Sequence, residues 1–121
     1  MPSRTIVSRT GIRERRVSHV PMADMAHVAA ERALACAGVS GRDIELIVFG
    51  TCSFEDQVPN MASGLQQRIG ADGCAAMDVN TACTSFLYGL STATALIRGG
   101  VVRNALVVGA EIISAGFRHE I

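Results

Sequence analysis

A cysteine at the junction between an apolar strand and a long helix has the clearest chemistry in this sequence. Cys83 lies within residues 77–89, MDVNTACTSFLYG, where a strand pattern gives way to a helix pattern. The first turn of a helix carries unpaired backbone N–H groups and the positive end of the helix dipole, and both favour a thiolate over a thiol. The same N–H groups could bind the oxyanion that forms when a thioester carbonyl is attacked. The pattern therefore predicts that Cys83 is the nucleophile of an acyl transfer.

A structural role for the same cysteine is the alternative, because free cysteine is among the most buried residue types. The other cysteines, Cys36, Cys52 and Cys74, form no Cys-x-x-Cys pair and have no histidine at ligand spacing. We therefore expect no metal site. The start Met-Pro-Ser-Arg shows no apolar leader. This predicts reduced thiols and a cytoplasmic location.

Composition narrows the class of protein. The chain has 121 residues, of which 49% are hydrophobic, and this predicts one domain with a moderate core. Eleven basic and eleven acidic residues give no net charge, so neither a nucleic-acid partner nor an anionic membrane surface is indicated. Residues 79–97 carry no charge, but their many hydroxyl side chains favour a central helix buried inside a domain over a membrane span.

Alternating helix and strand patterns predict the architecture. The predicted elements are helix Met22–Ala37, strand 44–50, helix 59–69 with Pro59 at its first position, strand 73–79, helix 82–98 and strand 104–113. In the first helix, the residues expected on the apolar face are Met25, Ala29, Ala33 and Cys36. The β-α-β-α-β order predicts an α/β fold with a mainly parallel sheet, whose strand-end loops should carry the chemistry.

Two segments carry a resemblance to a known family. Residues 78–98 and 105–111 resemble the nucleophile segment of the ketoacyl-acyl-carrier-protein synthase III family, in the thiolase superfamily. Residues 8–16, SRTGIRERR, resemble the coenzyme A entrance segment of that family. The resemblance implies a thiolase-like α/β fold, with a mostly parallel sheet and helices on both faces.

The resemblance also implies an incomplete half-domain. Residues 1–121 would form part of an N-terminal thiolase-like domain that lacks its first strand and the whole C-terminal half. We expect the missing strand to lie between strands 44–50 and 104–113. Buried strand edges would then lack partners, so the chain is expected to fold poorly alone.

The resemblance assigns roles to five positions. Cys83 would accept the acyl group, Arg9 would contact the nucleotide part of coenzyme A, and the acyl pocket would be lined by Cys52, Val58, partly across a dimer interface, and Ile113. A plain core role is the alternative for these last three. The aromatic residue that the family often stacks on adenine would fall near Thr5, so the acyl donor is either a more weakly bound coenzyme A or a carrier protein.

The family's reaction gives the first function hypothesis. An acyl group from acyl-CoA would load onto Cys83 and then condense, with decarboxylation, with malonyl-acyl-carrier protein to begin fatty-acid or polyketide synthesis. The resemblance implies a homodimer and no cofactor beyond the coenzyme A thioester. His19, His27 and His119 match no family motif and are interpreted as surface residues. The alternatives are an acyltransferase that passes the group to an alcohol or amine, and a noncatalytic partner subunit.

Overall fold

The computed structural model describes residues 4–114, so His119 lies outside the described residues. The helices are α1 (Arg4–Thr10), α2 (Met22–Ala37), α3 (Met61–Ile69) and α4 (Ser85–Arg98), and the strands are β1 (Leu46–Gly50), β2 (Ala75–Val79) and β3 (Leu106–Gly109). Short 3₁₀ turns occupy Gly41–Asp43 and Ala82–Thr84. The predicted alternation of helix and strand is therefore confirmed, with shorter strands than the sequence pattern indicates.

The three strands form a parallel sheet in the order β2-β1-β3. In the centre, Ile47 is aligned with Ala76 on one side and with Leu106 on the other. The gap that we expected between strands 44–50 and 104–113 is not present in this structure, because β1 and β3 are hydrogen-bonded directly to each other. The unpaired edges from which we expected poor folding are therefore not present between these strands.

Alternate residues of the buried central strand face opposite helical layers. Ile47 and Phe49 belong to the core that β1 shares with α2 and α3, whereas Val48 packs with Ala93 of α4. All five residues of β1 are buried, as expected for a parallel strand covered on both faces. The predicted placement of helices on both faces of the sheet is confirmed.

The buried stripe of α2 differs from the predicted one. The helix buries Met22, Ala26, Ala30 and Leu34. Of the residues predicted to be buried, Ala29, Ala33 and Cys36 are exposed and Met25 is only partly buried. Because alanines occur on several faces of this helix, its apolar pattern does not single out one side.

Helix α3 begins at Met61, two residues later than predicted, because side chains set its start. The Asn60 side chain accepts a hydrogen bond from the Ser63 backbone N–H at 2.8 Å, which makes Asn60 the N-cap. The Asp78 carboxylate, on β2, accepts from the backbone N–H groups of Met61 and Ala62, each at 2.9 Å. Pro59 therefore lies outside the helix.

Helix α4 packs through one face only, so the prediction of a buried central helix is wrong for this structure. Its buried residues are Ser85, Gly89 and Ala93. Its exposed large hydrophobic residues are Phe86, Leu87, Tyr88, Leu90 and Ile97. Small residues on the packed side allow the backbone of α4 to approach the sheet closely. Within residues 4–114, no helix is both long and apolar enough to cross a membrane.

Polar contacts join β1 and β3 at the amino edge of the sheet. The Asn104 side chain accepts from the Glu45 backbone N–H at 2.9 Å and donates to the Asp43 carbonyl at 2.8 Å. Glu45 in turn accepts from the backbone N–H and the guanidinium of Arg103, each at 2.7 Å. These backbone and side-chain hydrogen bonds from Arg103 lower the pKa of Glu45.

Candidate active site

Cys83 lies on the sharp turn that joins β2 to α4. It is the middle residue of the 3₁₀ turn Ala82–Thr84, two residues before α4 begins, and it is exposed. The core alternative for Cys83 is therefore wrong. Ala82, directly before it, has a φ of 53°, in the left-handed region that residues with a Cβ rarely adopt. Such strain persists only where surrounding contacts hold it, and it is frequent at functional sites.

Side-chain hydrogen bonds hold this turn in place. The Ser85 hydroxyl, which is 3% exposed, accepts from the Thr81 backbone N–H at 2.9 Å and donates to the Ala82 carbonyl at 2.7 Å. The Asn80 side chain accepts from the Ala82 backbone N–H at 3.2 Å. No acceptor within residues 4–114 engages the backbone N–H of Cys83. That N–H is therefore available to a bound carbonyl oxygen.

Two glycines seat the start of α4 on the carboxyl edge of the sheet. A Cβ added to Gly50, the last residue of β1, would lie 2.8 Å from the carbonyl carbon of Ser85. A Cβ added to Gly109, the last residue of β3, would lie 3.0 Å from Cβ of Phe86. At Gly50 the contacted atoms belong to the backbone, so a Cβ there would force the backbone to shift, whereas a Cβ at Gly109 would require the Phe86 side chain to move slightly. The predicted concentration of chemistry at strand ends is thus realised by the way α4 meets β1 and β3.

Cys83 lines an open cleft of about 280 Å³ at this edge. The other residues of the cleft wall are Gly50, Ala82, Ser85, Phe86, Gly109, Ala110 and Glu111. The cleft thus contains one thiol, one aromatic ring and one carboxylate, with backbone from the ends of β1 and β3.

Glu111 is a site residue to which the sequence reasoning assigned no role. Its carboxylate accepts from the backbone N–H of Cys52 at 2.8 Å, from the hydroxyl of Thr51 at 3.1 Å, and from the backbone N–H of Ser53 at 3.1 Å. It also accepts from the Ser53 hydroxyl. Partial burial raises the pKa of Glu111, but the hydrogen bonds from Ser53, Cys52 and Thr51 lower that pKa more. The sequence feature that could have identified Glu111 was a carboxylate near the carboxyl end of a predicted strand.

Cys52 lies beside this carboxylate and near Cys83. Partial desolvation by neighbouring atoms, the hydrogen bond and negative charge of Glu111, and the charge of Cys83 together raise the pKa of the Cys52 thiol, although the residue is exposed. A raised pKa keeps the Cys52 side chain in the thiol form at neutral pH, and a thiol is a poor nucleophile. Cys52 therefore fits a place beside the pocket better than a role as a second reactive thiol.

The structure separates the other predicted site residues from the cleft. Val58 is 92% exposed and precedes Pro59 through a cis peptide bond, while Ile113 is 53% exposed beyond β3. Since Cys52 is also exposed, the plain core role is wrong for all three. Arg9 is exposed on α1. None of these four residues, Arg9, Cys52, Val58 and Ile113, is among the residues of 4–114 that line the Cys83 cleft.

The sheet is parallel and covered on both faces, and a turn with a cysteine lies at its carboxyl edge. This arrangement is that of the thiolase-like class of folds, and solved structures with this fold match the chain. A 3-oxoacyl-acyl-carrier-protein synthase III from Aquifex aeolicus matches with a TM-score of 0.87 and 37% identity, covering 92% of this chain and 36% of its own. The priming beta-ketosynthase of a polyketide biosynthetic pathway matches with a TM-score of 0.87 and 31% identity, covering 93% of this chain and 35% of its own.

Sequence comparison points to one family of related proteins. Residues 77–118 match the family model of 3-oxoacyl-acyl-carrier-protein synthase III. A beta-ketoacyl-acyl-carrier-protein synthase III 2 from Vibrio cholerae is 55% identical over 109 residues, which cover 90% of this chain and 30% of the relative. The predicted resemblance to the ketoacyl-acyl-carrier-protein synthase III family is confirmed. The chain spans about a third of the length of the relatives that it matches.

Proposed function

We propose that the protein containing these residues is an acyl-thioester condensing enzyme in which Cys83 accepts the acyl group. The observation that carries the proposal is the exposed thiol on a braced turn, directly before α4 and inside the cleft. The start of a helix favours negative charge on such a sulfur. The names of the related synthases support the condensation.

The first half-reaction uses groups that this chain supplies. The Cys83 sulfur attacks the thioester carbonyl carbon, a carbon–sulfur bond forms, and the carbonyl oxygen becomes an oxyanion. The unengaged Cys83 backbone N–H is suited to donate to that oxygen. The bond to coenzyme A then breaks, and the coenzyme A thiolate leaves.

In the second half-reaction, the acyl-enzyme is attacked by a carbanion. Loss of carbon dioxide from malonyl-acyl-carrier protein would generate this carbanion, a carbon–carbon bond would form, and the Cys83 thiolate would be released. Within residues 4–114, no histidine lines the cleft. His27 lies on α2, where its Nε2 is 3.3 Å from Oε1 of Glu31. Groups outside this cleft wall would therefore stabilise the carbanion.

The substrates and partners form part of the same proposal. Acyl-CoA would be the donor, with the exposed guanidinium of Arg9 contacting its phosphates. The exposed Val58 side chain suits a contact with the second subunit of a homodimer, where Val58 and Ile113 would border the acyl pocket. The reaction would run in the cytoplasm and use no cofactor besides the coenzyme A thioester.

The test is mass spectrometry, after incubation with acetyl-CoA, of the whole protein that contains these residues. We expect one acetyl group on the peptide that contains Cys83, and its loss in C83A. C36A is the matched control, because Cys36 is an exposed cysteine on α2, and this variant should keep the adduct.

The remaining outcomes decide between the functions. A condensation product on addition of malonyl-acyl-carrier protein supports the condensing enzyme. An adduct that is passed only to alcohols or amines would indicate an acyltransferase. No adduct on Cys83 would contradict the proposal and favour a noncatalytic subunit.

A further inference from the structure

A single carboxylate joins the two strand ends that border the Cys83 cleft. Glu111 follows β3, and all three residues that donate to it, Thr51 to Ser53, follow β1. Ser53 completes the connection, because its hydroxyl accepts from the Ile112 backbone N–H at 3.1 Å while donating to Glu111. The turn after β1 is therefore held to the turn after β3 through side-chain contacts.

The hydrogen bonds to Glu111 suit a structural role better than proton transfer. One oxygen of Glu111 accepts from the Cys52 N–H, and the other accepts from Thr51 and from both the N–H and the hydroxyl of Ser53. These donors lower the pKa of Glu111 despite its partial burial. A carboxylate whose pKa is lowered by several donors is a poor general base, although it lines the same cleft as the nucleophile.

We propose that Glu111 is a positioning residue that fixes the Thr51–Ser53 turn beside the Cys83 cleft and thereby determines which acyl chains the cleft accepts. The inference rests on the proposed acylation of Cys83. It extends that function to selectivity, because Glu111 itself lines the cleft and the turn that it holds directly follows Gly50, another residue of the cleft wall.

A test that needs no acylation follows from the position of Cys52. In E111Q, a neutral amide replaces the carboxylate. The amide nitrogen cannot accept hydrogen bonds, so some of the N–H and hydroxyl donors around position 111 lose their acceptor. The turn should loosen, and Cys52 should lose the carboxylate that disfavours its thiolate. At fixed neutral pH, alkylation of Cys52 by iodoacetamide should become about three- to tenfold faster, since one pKa unit changes the thiolate fraction tenfold.

The other cysteines and a second glutamate provide the controls. Cys74 is partly buried, so its alkylation rate reports general loosening, and Cys83 reports on its own turn. E55Q makes the same chemical change in the same loop, where Glu55 accepts from the Met22 backbone N–H at the start of α2. We expect unchanged Cys52 alkylation in E55Q, and unchanged Cys74 and Cys83 alkylation in E111Q.

The acyl-chain measurement completes the experiment. In the natural polypeptide, the ratio of the Cys83 acylation rates with acetyl-CoA and octanoyl-CoA should change by about tenfold in E111Q and stay constant in E55Q. If E111Q does not fold, the acyl-chain ratio is measured in E111D instead, because the aspartate keeps the negative charge but is too short to make all the hydrogen bonds of Glu111.

The possible failures are distinguishable. Cys52 alkylation that stays unchanged, or that rises only in parallel with Cys74, would overturn the proposal, as would an unaltered acyl ratio. Absence of acylation in the unmutated protein would instead contradict the proposed function, and thiol mapping would still decide whether Glu111 positions the turn.

Discussion

The backbone of Gly50 lies against the backbone of Ser85, where β1 ends and α4 begins. A Cβ at position 50 would come within 3.0 Å of the Ser85 carbonyl group and of the Phe86 nitrogen, which are backbone atoms and cannot rotate away. We expect G50A to lower the free energy of unfolding by about 1–3 kcal/mol, as other overpacking changes do, and to displace the Cys83 turn. Urea unfolding and the acylation rate of Cys83 measure the two effects.

A second glycine provides the control for that change. A Cβ at Gly64, inside α3, would meet no atom within 4 Å. G64A should therefore stabilise the protein by about 0.5–1 kcal/mol through helix propensity. If G50A were as well tolerated as G64A, the close packing of α4 on β1 would be contradicted.

The Ser85 hydroxyl should matter for both stability and chemistry. S85A removes the acceptor of the Thr81 N–H and leaves it unpaired, which costs about 1–3 kcal/mol when the group is buried. The turn would also lose its donor to the Ala82 carbonyl, so Cys83 acylation should slow per folded molecule. S91A, at an exposed serine of the same helix, is the control and should change neither measurement. Equal acylation rates in both variants would count against this role.

Asp78 lies on strand β2, but its carboxylate should stabilise the start of helix α3. D78A removes the acceptor for two backbone N–H groups of α3, and hydrogen bonds to a charged group are worth about 1.5–3 kcal/mol. D72A alters an exposed aspartate and should stay within about 0.5 kcal/mol of the parent. Urea unfolding compares the two. A D78A protein as stable as D72A would show that Asn60 alone suffices to start α3.

The lowered pKa of Glu111 predicts the sign of a pH effect. A carboxylate with a lower pKa in the folded state contributes stability above its unfolded pKa and loses it as pH falls through the folded pKa. The stability advantage of the parent over E111Q should therefore be complete at neutral pH and should shrink as pH falls below the usual value of 4.5. Unfolding of both proteins across this range measures it. A difference that does not depend on pH would mean that the charge of Glu111 contributes nothing.

Part of this fold could be read from local signals. The ends of the first two predicted helices, at Ala37 and at residue 69, are correct, and each is followed by a glycine with positive φ, Gly38 and Gly70. The apolar run of β1 marked a strand buried on both faces. The change of periodicity at residues 77–89 correctly placed Cys83 where a strand gives way to a helix, but the predicted helix began at residue 82, whereas residues Ala82–Thr84 form a 3₁₀ turn and α4 begins at Ser85.

Other features depended on contacts between distant residues. The start of α3 is set partly by Asp78, which lies 17 positions beyond Met61. Likewise, Glu111 acquires its role from a turn 58 to 60 positions earlier. The gap expected between strands 44–50 and 104–113 is not present in the structure, and no local sequence pattern reports which strands are neighbours. The burial of α4 was overestimated, because hydrophobicity alone does not show which surface a helix packs against.

The polar bridge of Asn104 and Glu45 joins β1 and β3 at the edge opposite Cys83. Since substitutions at well-separated sites act nearly independently, changes at this far edge should alter stability without displacing the Cys83 turn. Substitutions at the two ends of the sheet can therefore be made separately, at one end to change the stability of the fold and at the other to change the shape of the cleft.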